Sequence, residues 1–169
     1  MLNEGKKFEQ DIQKSVKNDD ETYIYRFRDS SGAWGNGDKT RFTPSNIADY
    51  LLVKRDKVLF LELKSVKEKR LPLGNIRINQ LNGLAEIKHK NIKSYFLINF
   101  RKEEKTYAVT PQQILDFLEN QERKSIPLSY FEDNGILIKQ VKKKVRWKYD
   151  LEPIYYKKKR RRIQSSPSL

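Results

Sequence analysis

Apolar residues in the first segment recur at spacing four, as Phe8, Ile12 and Val16. That period puts a single stripe on a helix, predicted over residues 4–16. The pattern then switches to alternation in Thr22-Tyr23-Ile24-Tyr25-Arg26-Phe27-Arg28, rich in β-formers, which predicts a strand. Residues 29–45 carry Gly, Ser, Asn and Asp around Trp34 with no apolar period, and predict a long loop. Two apolar runs, 47–54 and 58–64, flank Arg55-Asp56-Lys57 and predict a hairpin. A basic connection over 65–74 leads to a helix over 76–90, with Ile76, Leu81, Leu84, Ala85 and Ile87 as core candidates. Strands are predicted at 94–100 and 106–109. Thr110 as N-cap and Pro111 in the first turn open a helix to residue 119. An extended, turn-rich segment over 124–134, a short strand over 135–138 and an extended stretch over 145–151 complete the pattern. The order α-β-loop-β-β-α-β-β-α predicts a mixed α/β domain with a central sheet.

Composition changes this picture in three ways. The 169 residues, 37% hydrophobic, are enough for one domain with a core. No run of eighteen apolar residues is present, so no transmembrane helix is expected. Residues 1–7 lack the apolar stretch of a signal peptide, which points to the cytoplasm. The chain has no cysteine and one histidine, His89, at a predicted helix end without an expected catalytic role. Disulfides, thiolate zinc sites and multi-histidine metal sites are therefore excluded. A metal site here must use oxygen ligands, which suits Mg²⁺ or Mn²⁺.

The net charge of +14 calls for a polyanionic partner such as DNA. Its distribution is uneven: residues 139–169 hold twelve Lys/Arg and two Asp/Glu. Lys142, Lys143 and Lys144, and the basic run 157–162, suit phosphate contacts that ignore base sequence. Residues 157–169 are expected to be a disordered basic tail following a domain over 1–156. Arg26, Arg28, Lys39 and Arg41 surround Trp34, a set suited to gripping phosphates and stacking on an unpaired base. Lys67, Lys69 and Arg70 add cations after the second hairpin strand.

The most chemically specific stretch is Leu61-Glu62-Leu63-Lys64. In a strand, residues i and i+2 share a face, so Glu62 and Lys64 project together while Leu61 and Leu63 face the core. An acid and a lysine so spaced are ordinarily a solvated face or a salt bridge. Asp49, in the apolar run Ile47-Ala48-Asp49-Tyr50-Leu51, changes that reading, because a carboxylate there needs a cation or hydrogen bonds. A hairpin brings the two strands together, although the turn alone does not fix their register. Asp49, Glu62 and the Leu63 carbonyl then form an oxygen donor set for a metal, with Lys64 placed to hold a water or stabilise a phosphorane. Gln80, on the next helix, is a candidate for orienting water or contacting a phosphate, and Glu9 borders the first helix's apolar stripe.

Pro44-Ser45-Asn46-Ile47-Ala48-Asp49 followed by Glu62-Leu63-Lys64 resembles the PD-(D/E)xK nuclease signature. More specifically, the chain resembles RecU-type Holliday junction resolvases of Gram-positive bacteria and their phages. The resemblance rests on Gly5-Lys6-Lys7-Phe8-Glu9, the Asp49 and Glu62-Leu63-Lys64 hairpin, Asn79-Gln80-Leu81 and Arg123-Lys124-Ser125-Ile126-Pro127. It implies an α/β restriction-endonuclease-like fold with a central mixed β-sheet flanked by helices. It also implies a homodimer, Mg²⁺ or Mn²⁺, paired nicks across a four-way DNA junction, and, for a phage protein, the bacterial host's cytoplasm. By the same resemblance Asp49 and Glu62 are metal-binding acids, Lys64 is the catalytic lysine and Glu9 is an acid contributed from the first helix. The family's long stalk ahead of the catalytic Asp is shortened here to residues 29–45. A restriction-like or flap nuclease and a non-catalytic DNA-binding module remain open as alternatives.

Overall fold

The computed structural model describes residues 3–28 and 46–156. The expected loop with Trp34, Lys39, Arg41, Pro44 and Ser45, and the expected basic tail, lie outside the described residues. Helix α1 (Glu4–Ser15) starts where the Asn3 side chain accepts the Gly5 N–H at 2.8 Å. It buries Phe8 and Ile12, as the apolar stripe requires. Strands β1 (Thr22–Arg26), β2 (Tyr50–Lys54) and β3 (Lys57–Val66) form an antiparallel meander. The β2–β3 turn is two residues, Arg55-Asp56, and Arg55 takes the left-handed conformation with φ 52° that such tight turns require.

Strand β4 (Arg70–Pro72) and helix α2 (Ile78–Ala85) follow, crossing over to β5 (Ile92–Phe100). Strand β5 lies parallel to β3, in register from Val58↔Ile92 to Val66↔Phe100. A parallel pair needs such a crossover because no tight turn can join its strands. Strand β6 (Lys105–Val109) returns antiparallel to β5. Helix α3 (Pro111–Asn120) opens with a full capping box between Thr110 and Gln113. Strand β7 (Ser125–Pro127) pairs with β4, helix α4 (Leu128–Asn134) follows, and β8 (Ile136–Ile138) joins β6. Strands β9 (Gln140–Lys142) and β10 (Trp147–Tyr149) form a separate hairpin before α5 (Glu152–Tyr155).

The main sheet runs β1-β2-β3-β5-β6-β8. One face packs Leu59, Leu61 and Leu63 against Phe8 and Ile12 of α1 and against Tyr149 and Ile154. The other packs Phe96, Ile98 and Phe100 against Leu81 and Leu84 of α2, Ile114 of α3 and Phe131 of α4. The α/β class and the central mixed sheet follow the sequence expectation. Both faces are covered, so the face of β3 that carries Glu62 is buried as well as the Leu61 face.

Several expected boundaries are corrected. The predicted strand from residue 47 begins only at Tyr50, which leaves Asp49 at a bend before β2. The helix predicted over 76–90 shrinks to α2; its start follows Arg77, and residues after Ala85 turn away toward β5. The basic connection over 65–74 contains the end of β3 and all of β4. The extended reading of 124–134 holds only for β7. Pro127 precedes α4, whose Leu128 and Phe131 at spacing three bury one short helical face. The stretch over 145–151 is half of a hairpin whose other half, β9, is too polar to show alternation.

Candidate active site

The site forms where β2 ends and β3 continues. The last β2–β3 pair is Tyr50↔Leu61. Asp49, just beyond it, is held from both sides. Its N–H donates to the Leu61 carbonyl at 3.0 Å, and its carbonyl accepts the Phe27 N–H at 2.9 Å. The Asp49 side chain then accepts the Leu63 N–H at 2.7 Å, taking the place a continuing strand would have filled. A strand residue points its N–H and C=O to the same side, so the Leu63 carbonyl lies along the same edge as the Asp49 carboxylate.

Glu62 and Lys64 project from the opposite face to Leu61 and Leu63, toward α2. Glu62 is 2% exposed, and Lys64 Nζ donates to its Oε1 at 2.7 Å. Gln80 Nε2 donates to the Asn46 carbonyl at 3.0 Å and, more weakly, to Glu62 Oε2 at 3.4 Å. Both partners of the amide nitrogen are acceptors. Reversing the amide would set oxygen against oxygen, so its orientation is determined by its neighbours. Gln80 Oε1 is thereby left buried without a donor among the described residues. An unmatched buried acceptor is costly unless a water or other donor reaches it.

Burial pushes the Asp49 carboxyl up to about 7, reinforced by the charges of Glu62 and Glu9 and opposed by the Leu63 N–H and Lys64. Burial also raises Glu62, against the charge and hydrogen bond of Lys64 and the charge of Arg77. Two neighbouring desolvated carboxylates are destabilised when ionised, and a cation relieves both. The oxygen-only chemistry, the raised acids and the donor-seeking Gln80 Oε1 fit a hydrated hard divalent ion. Among the described residues, no three Asp, Glu, His or Cys side chains gather closely enough to hold a metal. The oxygens near the end of β3 are those of two carboxylates and a backbone carbonyl.

The sequence-predicted residues fall into separate groups. Asp49, Glu62, Lys64 and Gln80 converge on the end of β3, and Glu9 is near enough for its charge to raise both acids. Glu9 is engaged by Arg26 at 2.7 Å, and its backbone carbonyl accepts the Tyr50 hydroxyl at 3.1 Å. Arg28 is exposed next to this region, and its carbonyl accepts the Asn46 side-chain amide. Lys67, Lys69 and Arg70 are exposed at the β3–β4 turn and the start of β4, with Lys69 bridged to Glu103 at 3.4 Å. Lys142, Lys143 and Lys144 lie on the β9–β10 hairpin. Arg77 was missed by sequence reading, although it stands three residues before Gln80, a spacing that shares a helical face.

Residues 33–150, well over half of the chain, match the family model described as Recombination protein U. The SPbeta prophage-derived uncharacterized protein YotM of Bacillus subtilis (strain 168) is 29% identical over 168 residues, covering 90% of this chain and 85% of that protein. The Holliday junction resolvase RecU of Streptococcus gordonii is 25% identical over 101 residues, 59% of this chain and 50% of the relative. That of Streptococcus pyogenes serotype M1 is 24% identical over 99 residues, 57% and 50%. The chain spans about half the length of these two resolvases. Among solved structures, Archaeoglobus fulgidus Hjc, a Holliday junction resolvase from an archaeal hyperthermophile, superposes with a TM-score of 0.51 at 18% identity, covering 79% of this chain and 95% of that one. This last likeness concerns the fold.

Proposed function

Since the chain belongs to the Recombination protein U family, we propose that it is a metal-dependent endonuclease that resolves four-way DNA junctions by paired symmetric nicks. The observation that carries this reading is the packing of Asp49, Glu62, Lys64 and Gln80 around the end of β3. Asp49, Glu62 and the Leu63 carbonyl would hold Mg²⁺ or Mn²⁺, which supplies charge neutralisation and a more acidic water for phosphodiester hydrolysis. Glu62 aims the Lys64 ammonium, which stabilises negative charge developing on the phosphoryl oxygens. Gln80 Oε1 accepts a hydrogen bond from the attacking water and so orients it. Arg26 keeps the Glu9 carboxylate fixed at the rim. A homodimer would suit this reading on symmetry grounds, because two sites related by a two-fold axis match the two strands cut in a junction.

The test incubates the protein with a mobile four-way junction, a linear duplex and a flap, each with Mg²⁺ or EDTA. Symmetric nicking of the junction, dependent on Mg²⁺ and absent in Glu62→Gln, is expected. Preferential cutting of flap or duplex replaces the junction reading with a restriction-like or flap nuclease. Binding without cutting in every condition reduces the protein to a DNA-binding module.

A further inference from the structure

The β9–β10 hairpin does not belong to the main sheet, yet it is firmly mounted. The Trp147 N–H donates to Asp11 at 3.1 Å and the Tyr149 N–H to Ser15 at 2.9 Å, so β10 is fastened along α1. Tyr149 packs edge-on against Phe8 at 5.3 Å. A buried polar chain runs from the hairpin's base to the catalytic strand. Gln140 meets Thr106 at 2.6 Å, Thr106 meets Asn99 at 2.9 Å, and Asn99 meets Ser65 at 3.2 Å, one residue past Lys64. Arg101 donates to both the Ser65 carbonyl and hydroxyl at 3.2 Å.

Between the hairpin, α1 and the ends of β3 and β5 lies a groove of about 510 Å³. Arg101, Lys142, Lys143, Lys144 and Arg146 line it. Of its three acids, Glu4 is bridged to Lys7 at 2.9 Å and Asp11 accepts the Trp147 N–H, which leaves Glu104 facing a lining dominated by cations. Among the described residues, none of the four hairpin cations that line the groove forms a salt bridge. The hairpin tip closes with the Lys143 N–H donating to the Arg146 carbonyl at 2.7 Å, which holds Lys144 and Val145 outward, Val145 at 97% exposure.

We propose that this groove is a backbone-binding site for one DNA strand, and that the hairpin is a rigid basic finger fixing that strand's path next to the catalytic lip. The inference rests on the DNA-cutting function proposed above. Cations without counter-charges on a rigid mount pay no desolvation of existing pairs when phosphates arrive, and they release counterions on binding. They contact phosphate, so they position DNA without reading its sequence.

The experiment uses the full chain. Binding of a labelled duplex and a four-way junction is measured by anisotropy in EDTA over a series of salt concentrations. Lys143→Ser, Lys144→Ser and Arg146→Ser are combined in one variant, and Lys88→Ser, Lys90→Ser and Lys124→Ser in a charge-matched control. The hairpin variant is expected to flatten the slope of log K against log salt by about 2 to 3, and the control by much less. Equal slopes for the two variants overturn the proposal. A second arm needs no loss of charge. The chain contains no cysteine, so Val145→Cys creates a unique thiol. DNA bearing thiol-reactive groups at single backbone positions is expected to crosslink at one or two adjacent positions. Uniform or absent crosslinking overturns the proposal. Cleavage with Mg²⁺ is scored separately. Intact cutting with an unchanged slope rejects the finger and keeps the nuclease; no cutting with a flattened slope and a localised crosslink rejects the nuclease and keeps the groove.

Discussion

Strand β3 and the β9–β10 hairpin both pack on α1 and both carry charge, but they use it in opposite ways. At the end of β3 the acids are largely withdrawn from water and each is held by a partner. Glu62 is held by Lys64, Asp49 by the Leu63 N–H, and Glu9 by Arg26. On the hairpin, Lys143, Lys144 and Arg146 are exposed and, among the described residues, bridged to no acid. Burial turns charge into shifted proton affinities and fixed geometry, which salt hardly screens. Exposure leaves each charge weak alone, additive along a polyanion and sensitive to ionic strength. The first arrangement suits a reaction at one bond, the second a grip on many phosphates. Changes at the lip are therefore expected to alter rate and stability, and changes at the tip to alter salt dependence.

The largest expected effect is that of Lys64→Met. It removes the ammonium proposed to stabilise the phosphoryl oxygens, and turnover on saturating junction DNA is expected to fall about 10²- to 10³-fold. It also strands Glu62, at 2% exposure, without its counter-charge. Loss of one member of a buried pair costs on the order of 3–5 kcal/mol near neutral pH. That penalty shrinks as pH falls and Glu62 protonates. DNA affinity in EDTA, and its salt slope, are expected to stay near wild type. If the slope changed as much as the rate, the division of labour between lip and tip would collapse.

Much of this division was readable from residues. The alternation around Glu62 and Lys64 and the short turn at Arg55-Asp56-Lys57 predict the hairpin, while its register, which sets Asp49 beside Leu63, needed the structure. The capping box at Thr110 and the stripe of Phe8 and Ile12 were equally plain, because each is a local pattern with one dominant outcome. What escaped depends on contacts distant in sequence. Strand β9 has no alternation of its own and exists because Gln140 and Trp147 are anchored by Thr106 and Asp11. Helix α4 is seven residues long, too short to show a period. The unmatched Gln80 Oε1 emerges only once Asn46 and Glu62 stand on the same side of the amide nitrogen.

A smaller effect is expected from Gln80→Ala. It leaves Asp49, Glu62 and Lys64 in place and removes an amide beside them. The Mg²⁺ concentration giving half-maximal cutting is expected to rise about 10- to 100-fold, the usual cost of losing a group that supports metal ligands. The maximal rate should recover much of the way at high Mg²⁺. A metal titration of cleavage checks this, and an unchanged midpoint would remove Gln80 from the site. The hairpin variant, by contrast, should leave the Mg²⁺ midpoint untouched.

The last effect is read in melting temperature alone, on the order of ten degrees, and it isolates burial itself. Asp49 titrates at about 7 in the fold against an ordinary value of 3.8. Between those values the folded protein holds a proton that the unfolded chain has lost. Stability therefore falls as pH rises from about 4 to about 7, and stays lower above that. Glu62 is raised as well and contributes with the same sign. In EDTA, the melting temperature of the wild type is expected to drop across this window. Asp49→Asn should melt on a flatter curve and above the wild type at pH 8, because its amide oxygen still accepts the Leu63 N–H without a charge to desolvate. Each kcal/mol corresponds to about 2–4 °C for a chain of this size. Adding Mg²⁺ should raise the wild-type midpoint more at pH 8 than at pH 6, since only the ionised carboxylate binds a cation, and should leave Asp49→Asn nearly unmoved. A wild-type curve as flat as that of Asp49→Asn would mean that water reaches Asp49 freely. The lip would then be no drier than the hairpin tip, and the contrast between them would rest on geometry alone.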